Sequence, residues 1–172
     1  MLALRKLTAS DAEAFQIAYR ATAATDPNFA RGFTLDTPFD AYLARLDADE
    51  RGADLPESYV PTTLYCGFLG AELVGRLTLR VHLNARLRQS GGNIGYVVVP
   101  EFRRRGVATQ MLRLALPIAR DRGLDRALLT CDEGNTGSRR VIEKCGGVLE
   151  AVSPIPGSGV SQCRYWISLR SA

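Results

Sequence analysis

One stretch constrains the fold more than any other. Residues 93–99 read NIGYVVV and end in a continuous apolar run, as a strand buried on both faces does. Pro100 stops that strand. The turn Glu101-Phe102-Arg103-Arg104-Arg105-Gly106 then leads directly into a helical pattern over 105–122. In it Val107, Met111, Leu114, Ala115 and Ile118 recur at helical spacing, and Gly123 follows as a C-terminal stop. A strand that passes through a basic turn into an amphipathic helix needs a sheet for the strand and an apolar sheet face for the helix.

The flanking pattern supplies that sheet. Residues 2–7 read as a first strand. Ser10 and Asp11 offer an N-cap for a helix carrying Phe15, Ile17, Ala18 and Tyr19. Thr37-Pro38 opens a second helix with Phe39, Tyr42, Leu43 and Leu46 on one face. Residues 61–69 and 72–82, split by Gly70-Ala71, form a hairpin, and 83–92 read as a loop. After the central helix come a strand at 126–131 and a short helix capped by Asn135. Its residues Val141, Ile142 and Cys145 point inward, and Arg139, Arg140 and Glu143 point outward. Two strands near 147–152 and 162–169 close the chain. The expected fold class is α/β (α+β): one domain over 1–172, with a mixed, mostly antiparallel sheet and helices on both faces.

Composition narrows the partners. Of 172 residues, 46% are hydrophobic and 23% charged, which excludes disordered and collagen-like classes. No apolar run approaches a membrane span and no signal-peptide stretch opens the chain, so a cytoplasmic protein without a membrane partner is expected. Cys66, Cys131, Cys145 and Cys163 are scattered and His82 is the lone histidine, so no metal is expected and the thiols read as buried and reduced. Residues 1–60 carry 6 basic and 10 acidic side chains, and residues 61–172 carry 16 and 8. The basic part suggests an anionic ligand, and the acidic run 36–57 an attraction for a cationic one. No nucleic-acid recognition motif accompanies Arg103–Arg105, so no nucleic-acid partner is expected.

The strand–turn–helix element carries the chemistry. The first amides of a helix lack intrahelical acceptors, and the helix dipole adds positive potential there. Gly106 and Ala108 keep the approach open, so backbone N–H groups can meet a phosphate or pyrophosphate, with three arginines at the rim. Neither a Walker loop nor a dinucleotide-binding glycine fingerprint is present.

Arg103-x-x-Gly106-x-Ala108 after a strand ending Val-x-Pro resembles the acetyl-coenzyme A signature of the GCN5-related N-acetyltransferases (GNAT). Asn135-Thr-Gly-Ser138 followed by Glu143-Lys144-Cys145-Gly146 resembles that family's second block. GGNIGY at 91–96, LLTCDEGN at 128–135 and RYWI at 164–167 are similar to a bacterial subgroup of predicted acetyltransferases. The resemblance implies a splay between strands 93–99 and 126–131, with the pantetheine arm of acetyl-CoA paired to the backbone of Val97, Val98 and Val99. It implies pyrophosphate contacts from the amides of Arg104, Arg105, Gly106, Val107, Ala108 and Thr109, with Arg103 also a cofactor-binding residue at the rim. Asn135 and Ser138 would contact the pantetheine, and Arg139 or Lys144 the adenosine end.

The implied reaction is transfer of acetyl from acetyl-CoA to an amine on a small molecule or peptide. The Val98 amide would stabilise the developing oxyanion. Many relatives place an acidic tyrosine where this chain has Ile142, and some place a glutamate base where it has Thr130. Strand alternation puts Asp132 on the face of Thr130 and makes it the first candidate base, ahead of Tyr96, Glu133, Tyr165 and His82. The two absent groups also leave open a non-catalytic acyl-CoA-binding sensor. The apolar end strands suggest a homodimer.

Overall fold

The structure is a computed structural model that describes residues 1–155 and 157–170. Its strands are β1 (Leu2–Arg5), β2 (Thr63–Leu69), β3 (Glu72–Leu79), β4 (Ile94–Val98), β5 (Arg126–Asp132), β6 (Val148–Pro154) and β7 (Ser161–Ser168). Its helices are α1 (Ala12–Thr22), α2 (Phe39–Arg51), α3 (Ala85–Gln89), α4 (Val107–Asp121) and α5 (Thr136–Lys144). The strands form two sheets, ordered β1-β2-β3-β4 and β5-β7-β6, and every pairing is antiparallel.

Helices cover both faces of the first sheet. On one face α4 buries Val107, Met111, Leu112, Ala115 and Ala119 against Val74, Leu77 and Val98. On the other, α1, α2 and the intervening loop bury an aromatic cluster built on Phe15, whose ring meets Phe33 edge-on at 5.0 Å and Tyr42 at 5.2 Å. These two cores fix β3 and β4 from both sides. Among the described residues, no helix is long and apolar enough to cross a membrane.

Element boundaries differ from expectation in two informative places. The first strand ends at Arg5, because the backbone N–H and the hydroxyl of Thr8 both donate to the Asp11 carboxylate, at 2.7 and 2.8 Å, and turn the chain early. The segment 83–92 contains helix α3, where Asn84 accepts the Leu87 amide at 2.9 Å and Leu87 is buried. That cap lies in a short basic segment whose single buried apolar residue gives no helical period to read.

The two sheets meet at one point. The Asn93 amide donates to the Leu128 carbonyl at 2.7 Å, and the Leu128 amide donates to the Asn93 side-chain oxygen at 2.8 Å. The Asn93 side-chain nitrogen donates back to the Arg80 carbonyl at 2.8 Å, and the Thr130 hydroxyl accepts the Gly91 amide at 2.7 Å. Beyond this joint β4 and β5 share no ladder. The expected splay is therefore a seam, closed at Asn93 and open toward Val98.

Candidate active site

The open end of the seam leads into a cleft of about 680 Å³ between β4, the start of α4 and the start of α5. It is lined by Tyr96, Val97 and Val98, by Arg103, Arg104 and Gly106 to Thr109, and by Asn135 and Ser138. Ten of the twelve residues expected to hold the donor thus border one cavity. Val99 and Arg105 are not among its lining residues. Val99 is buried in the aromatic core and donates its amide to Val74 at 3.0 Å. The Arg105 guanidinium lies 5.8 Å from the Phe102 ring centre.

Hydrogen-bond alternation decides which strand groups face the seam. Antiparallel pairs alternate between bonded and non-bonded residues. Val99 N–H reaches Val74 and the Asn93 carbonyl accepts from Arg80, so the odd-numbered residues of β4 turn their backbone groups toward β3. Tyr96 and Val98 consequently turn theirs toward the seam. Val97 lines the cleft but spends its backbone polar groups on the β3 ladder. The Val98 carbonyl accepts Arg103 Nε at 3.0 Å, which folds that arginine back along the cleft wall.

The turn before α4 is shaped by two left-handed residues, Arg104 at φ 60° and Gly106 at φ 78°. Left-handed residues bend consecutive N–H groups toward a common centre, the geometry of an anion nest. No side chain caps α4, and its first helical bond runs from Gln110 to Gly106 at 3.0 Å. The amides of Val107, Ala108 and Thr109 therefore have no helical acceptor. A Cβ placed on Gly106 would meet nothing closer than the Gln110 side chain at 3.9 Å. Packing does not demand glycine there; the left-handed φ and the open approach do.

Across the cleft, Asn135 caps α5 by accepting the Ser138 amide at 3.0 Å. The Tyr96 hydroxyl lies 2.8 Å from Ser138 Oγ and so spans from β4 to α5. Burial raises the Tyr96 phenol above its ordinary pKa, against a smaller lowering by the Ser138 bond, so it stays protonated at neutral pH. Arg140 and Lys144 line the cleft one helical turn apart. Arg139 instead donates to the Tyr165 hydroxyl at 3.2 Å.

The expected acid–base candidates fall elsewhere. Tyr165 is fully buried, and its hydroxyl donates to Glu143 at 2.9 Å while accepting from Arg139. Asp132 is exposed at the end of β5, where it accepts from Gln162 at 3.3 Å. Neither is among the residues lining the cleft. Ile142 is buried in the core, and Thr130 is occupied by Gly91. Three of the seven acidic side chains in 36–57 are held in ion pairs, while Asp36, Asp40, Asp54 and Glu57 are exposed with no ion pair among the described residues. Asp47 pairs with Arg51, Asp49 with Arg31, and Glu50 with Lys6 and Arg122.

A second cavity, of about 370 Å³, lies on the opposite face of the first sheet between β3, α2 and α3. Segment 25–29 borders both: Thr25 and Asp26 line the cleft, and Asn28 and Phe29 line the second cavity.

Comparison with known proteins agrees with this geometry. Residues 1–148 match the family model described as an acetyltransferase (GNAT) domain. No curated protein sequence matches the chain. Among solved structures, an N-acetyltransferase from Staphylococcus aureus Mu50 superposes with a TM-score of 0.67 at 14% identity, covering 99% of both chains. The yncA protein of Salmonella typhimurium, with its cofactor acetyl-CoA, gives 0.66 at 15% identity over 99% of this chain and 95% of that one. RimL, a ribosomal L7/L12 alpha-N-protein acetyltransferase in complex with coenzyme A, gives 0.67 at 18% over 97% and 93%. At such identities the structures speak to the fold, and the family model speaks to descent: the chain belongs to the GNAT acetyltransferase family.

Proposed function

We propose that this protein transfers an acetyl group from acetyl-CoA directly to an amine. The observation that carries the reading is the convergence on one cleft of an unpaired strand edge and an uncapped helix start, each offering backbone N–H groups. The amides from Arg104 to Thr109 suit a pyrophosphate, and the β4 edge at Val98 suits the amide groups of a pantetheine arm. Arg140 and Lys144 suit the phosphates of the adenosine end.

The amine nitrogen, deprotonated, attacks the thioester carbon. The Val98 amide points into the seam and meets the oxygen as negative charge develops on it. The tetrahedral adduct collapses, the carbon–sulfur bond breaks, and the thiolate leaves. The protonated Tyr96 hydroxyl lines the cleft, held by Ser138, and returns a proton or a hydrogen bond to the sulfur. Water takes the amine proton, since Asp132 and Tyr165 lie away from the cleft. Free cysteines at four positions suit a reducing, cytoplasmic setting.

The test is release of free thiol from acetyl-CoA in the presence of an amine panel, with coenzyme A affinity measured in parallel by calorimetry. Turnover with cofactor binding supports the reading. Tight binding without turnover against any amine replaces it with an acyl-CoA sensor, a role favoured by the burial of Ile142 and the engagement of Thr130.

A further inference from the structure

The second cavity is built around guanidinium groups. Arg31, Arg76, Arg80 and Arg86 line it, and Asp49 is its sole carboxylate. Asp49 is already taken by Arg31, at 3.0 Å. No ion pair engages Arg76, Arg80 or Arg86 among the described residues. Buried charge short of a counter-ion is costly, and an anionic ligand would offset that cost; Asp26 favours the Arg76 charge only from beyond ion-pair distance.

Arg76 shows the cost most clearly. It sits inside β3 at 8% exposure, beside Val97 in the strand register. One terminal nitrogen donates to the Asn28 carbonyl at 2.7 Å, but its Nε is buried with no hydrogen-bond partner. Arg80, four residues on and on the same side of the strand run, donates to the Gly92 carbonyl at 3.3 Å. Its pKa is pushed down to about 10, first by burial and then by repulsion from Arg76, Arg86 and Arg31. Arg86 projects from helix α3 at the rim, a helix held in place by Asn84 and the buried Leu87.

We propose that this cavity binds the anionic group of the acetyl acceptor, so that the preferred acceptor is a small amine carrying a carboxylate or phosphate rather than a polycation. The inference rests on the acetyl-transfer reading above and specifies its second substrate. Position supports it. Arg76 and Val97 are register partners on adjacent strands, so an anion held at Arg76 lies one strand away from the seam where acetyl is delivered. Segment 25–29 runs from one cavity to the other, with Thr25 and Asp26 at the cleft and Asn28 and Phe29 at the second cavity. A volume near 370 Å³ is at the small end of ligand sites, which fits an amino acid or aminoalkyl phosphate. The guanidinium fork pairs with both oxyanions in two-point fashion, so the carboxylate and phosphate arms are tested separately.

Two measurements decide it. First, thiol release is compared for glycine against glycinamide, for O-phosphoethanolamine against ethanolamine, and for spermidine. The expected result is a kcat/KM at least about tenfold higher for one anionic member over its neutral partner, reduced roughly 10–100-fold in Arg80→Gln or Arg86→Gln. Equal use of neutral and anionic amines, or a preference for spermidine, overturns the inference and leaves acetyl transfer standing. Second, binding of N-acetylglycine and of inorganic phosphate is measured by calorimetry with coenzyme A saturating, so that the α4 site is filled. The wild type is expected to bind one of them, and Arg80→Gln at least about tenfold more weakly. Absence of binding, or equal binding by both variants, overturns the inference even if no amine in the panel is acetylated. Thermal melts of each variant with coenzyme A confirm that the α4 site is intact.

Discussion

Asn93 holds Leu128 by both of its ends, amide to carbonyl at 2.7 Å and side-chain oxygen to amide at 2.8 Å. A single residue just before β4 thereby imitates a strand neighbour for β5 and closes the seam at one end. Asn93 is 3% exposed, so nothing in water can replace what its side chain provides.

Asn93→Ala therefore leaves the Leu128 amide and the Arg80 carbonyl without partners. With two buried polar groups stranded, a loss of roughly 2–4 kcal/mol is expected in urea denaturation. Coenzyme A affinity should fall as well, because the angle of the seam is set at this joint. A loss below about 1 kcal/mol, with unchanged affinity, would show that the sheets are held together elsewhere.

Gly106→Val is expected to weaken coenzyme A binding at least about tenfold, by placing a branched side chain where the pyrophosphate approaches. The same change forces a β-branched residue to φ 78°, so about 1–2 kcal/mol of folding stability is lost too. Calorimetry well below the melting temperature separates the two effects. Arg104→Ala should weaken binding less, because the cradle is made of amides. Wild-type affinity in Gly106→Val would remove the donor site from this cleft.

Arg104→Gly runs the other way for stability. Arg104 occupies φ 60°, which costs a non-glycine residue about 1 kcal/mol or more. Glycine relieves that strain and gives back part through its freer unfolded state. A gain of about 0.5–1 kcal/mol in thermal or urea unfolding is expected, together with a modest loss of coenzyme A affinity. A loss of stability would mean that the Arg104 side chain contributes packing.

Tyr96→Phe should lower kcat roughly 10–100-fold while leaving coenzyme A affinity nearly unchanged. Because the Tyr96 phenol titrates above its ordinary value, the wild-type rate should show no loss of this donor anywhere below pH ~10. Asp132→Asn should change turnover less than about tenfold, short of the 10²–10⁴ that a positioned base supplies. The reverse pattern in these two variants would restore Asp132 as the base and demote Tyr96.

Asp11 accepts two bonds from Arg5, both at 2.7 Å, and two more from Thr8. The Arg5 bonds chiefly hold its carboxyl well below the usual range. A depressed folded pKa means that the unfolded chain binds the proton first. The stabilisation is thus complete above pH ~4, and it is lost as pH falls from there toward the depressed value. Asp11→Asn should cost about 2 kcal/mol at pH 7 and flatten this acid limb. Parallel acid titrations of the two proteins check it; identical acid limbs would exclude Asp11 as a source.

The sheet, the two long helices on either face and the donor cleft were legible because each rests on a local signal: the apolar run at 94–99, the spacing of Met111 and Ala115, and Gly106 before a helix. The alternation of β4 backbone groups was not, because it depends on which β3 residue sits opposite. Arg140 was readable in principle, one turn before Lys144 on the same face of α5. Asp132 was placed by strand parity alone, which does not show whether a strand end faces the cleft, and nothing local to Tyr165 reveals its partner Glu143 on another element. The arginine cavity was invisible in sequence because Arg31, the pair Arg76 and Arg80 in and just after β3, and Arg86 come from three separate segments.

The amide cradle before α4 has an experimental consequence. Contacts made by main-chain N–H groups survive truncation of the side chains that carry them. An alanine scan of Arg104, Arg105, Val107 and Thr109 is thus almost blind to the donor site, and its flat profile would look like tolerance. Substitutions that alter chain shape, a proline at Ala108 or a branched residue at Gly106, are the ones that register. Drift in side chains along this turn is correspondingly cheap, so long as the glycine keeps its bend.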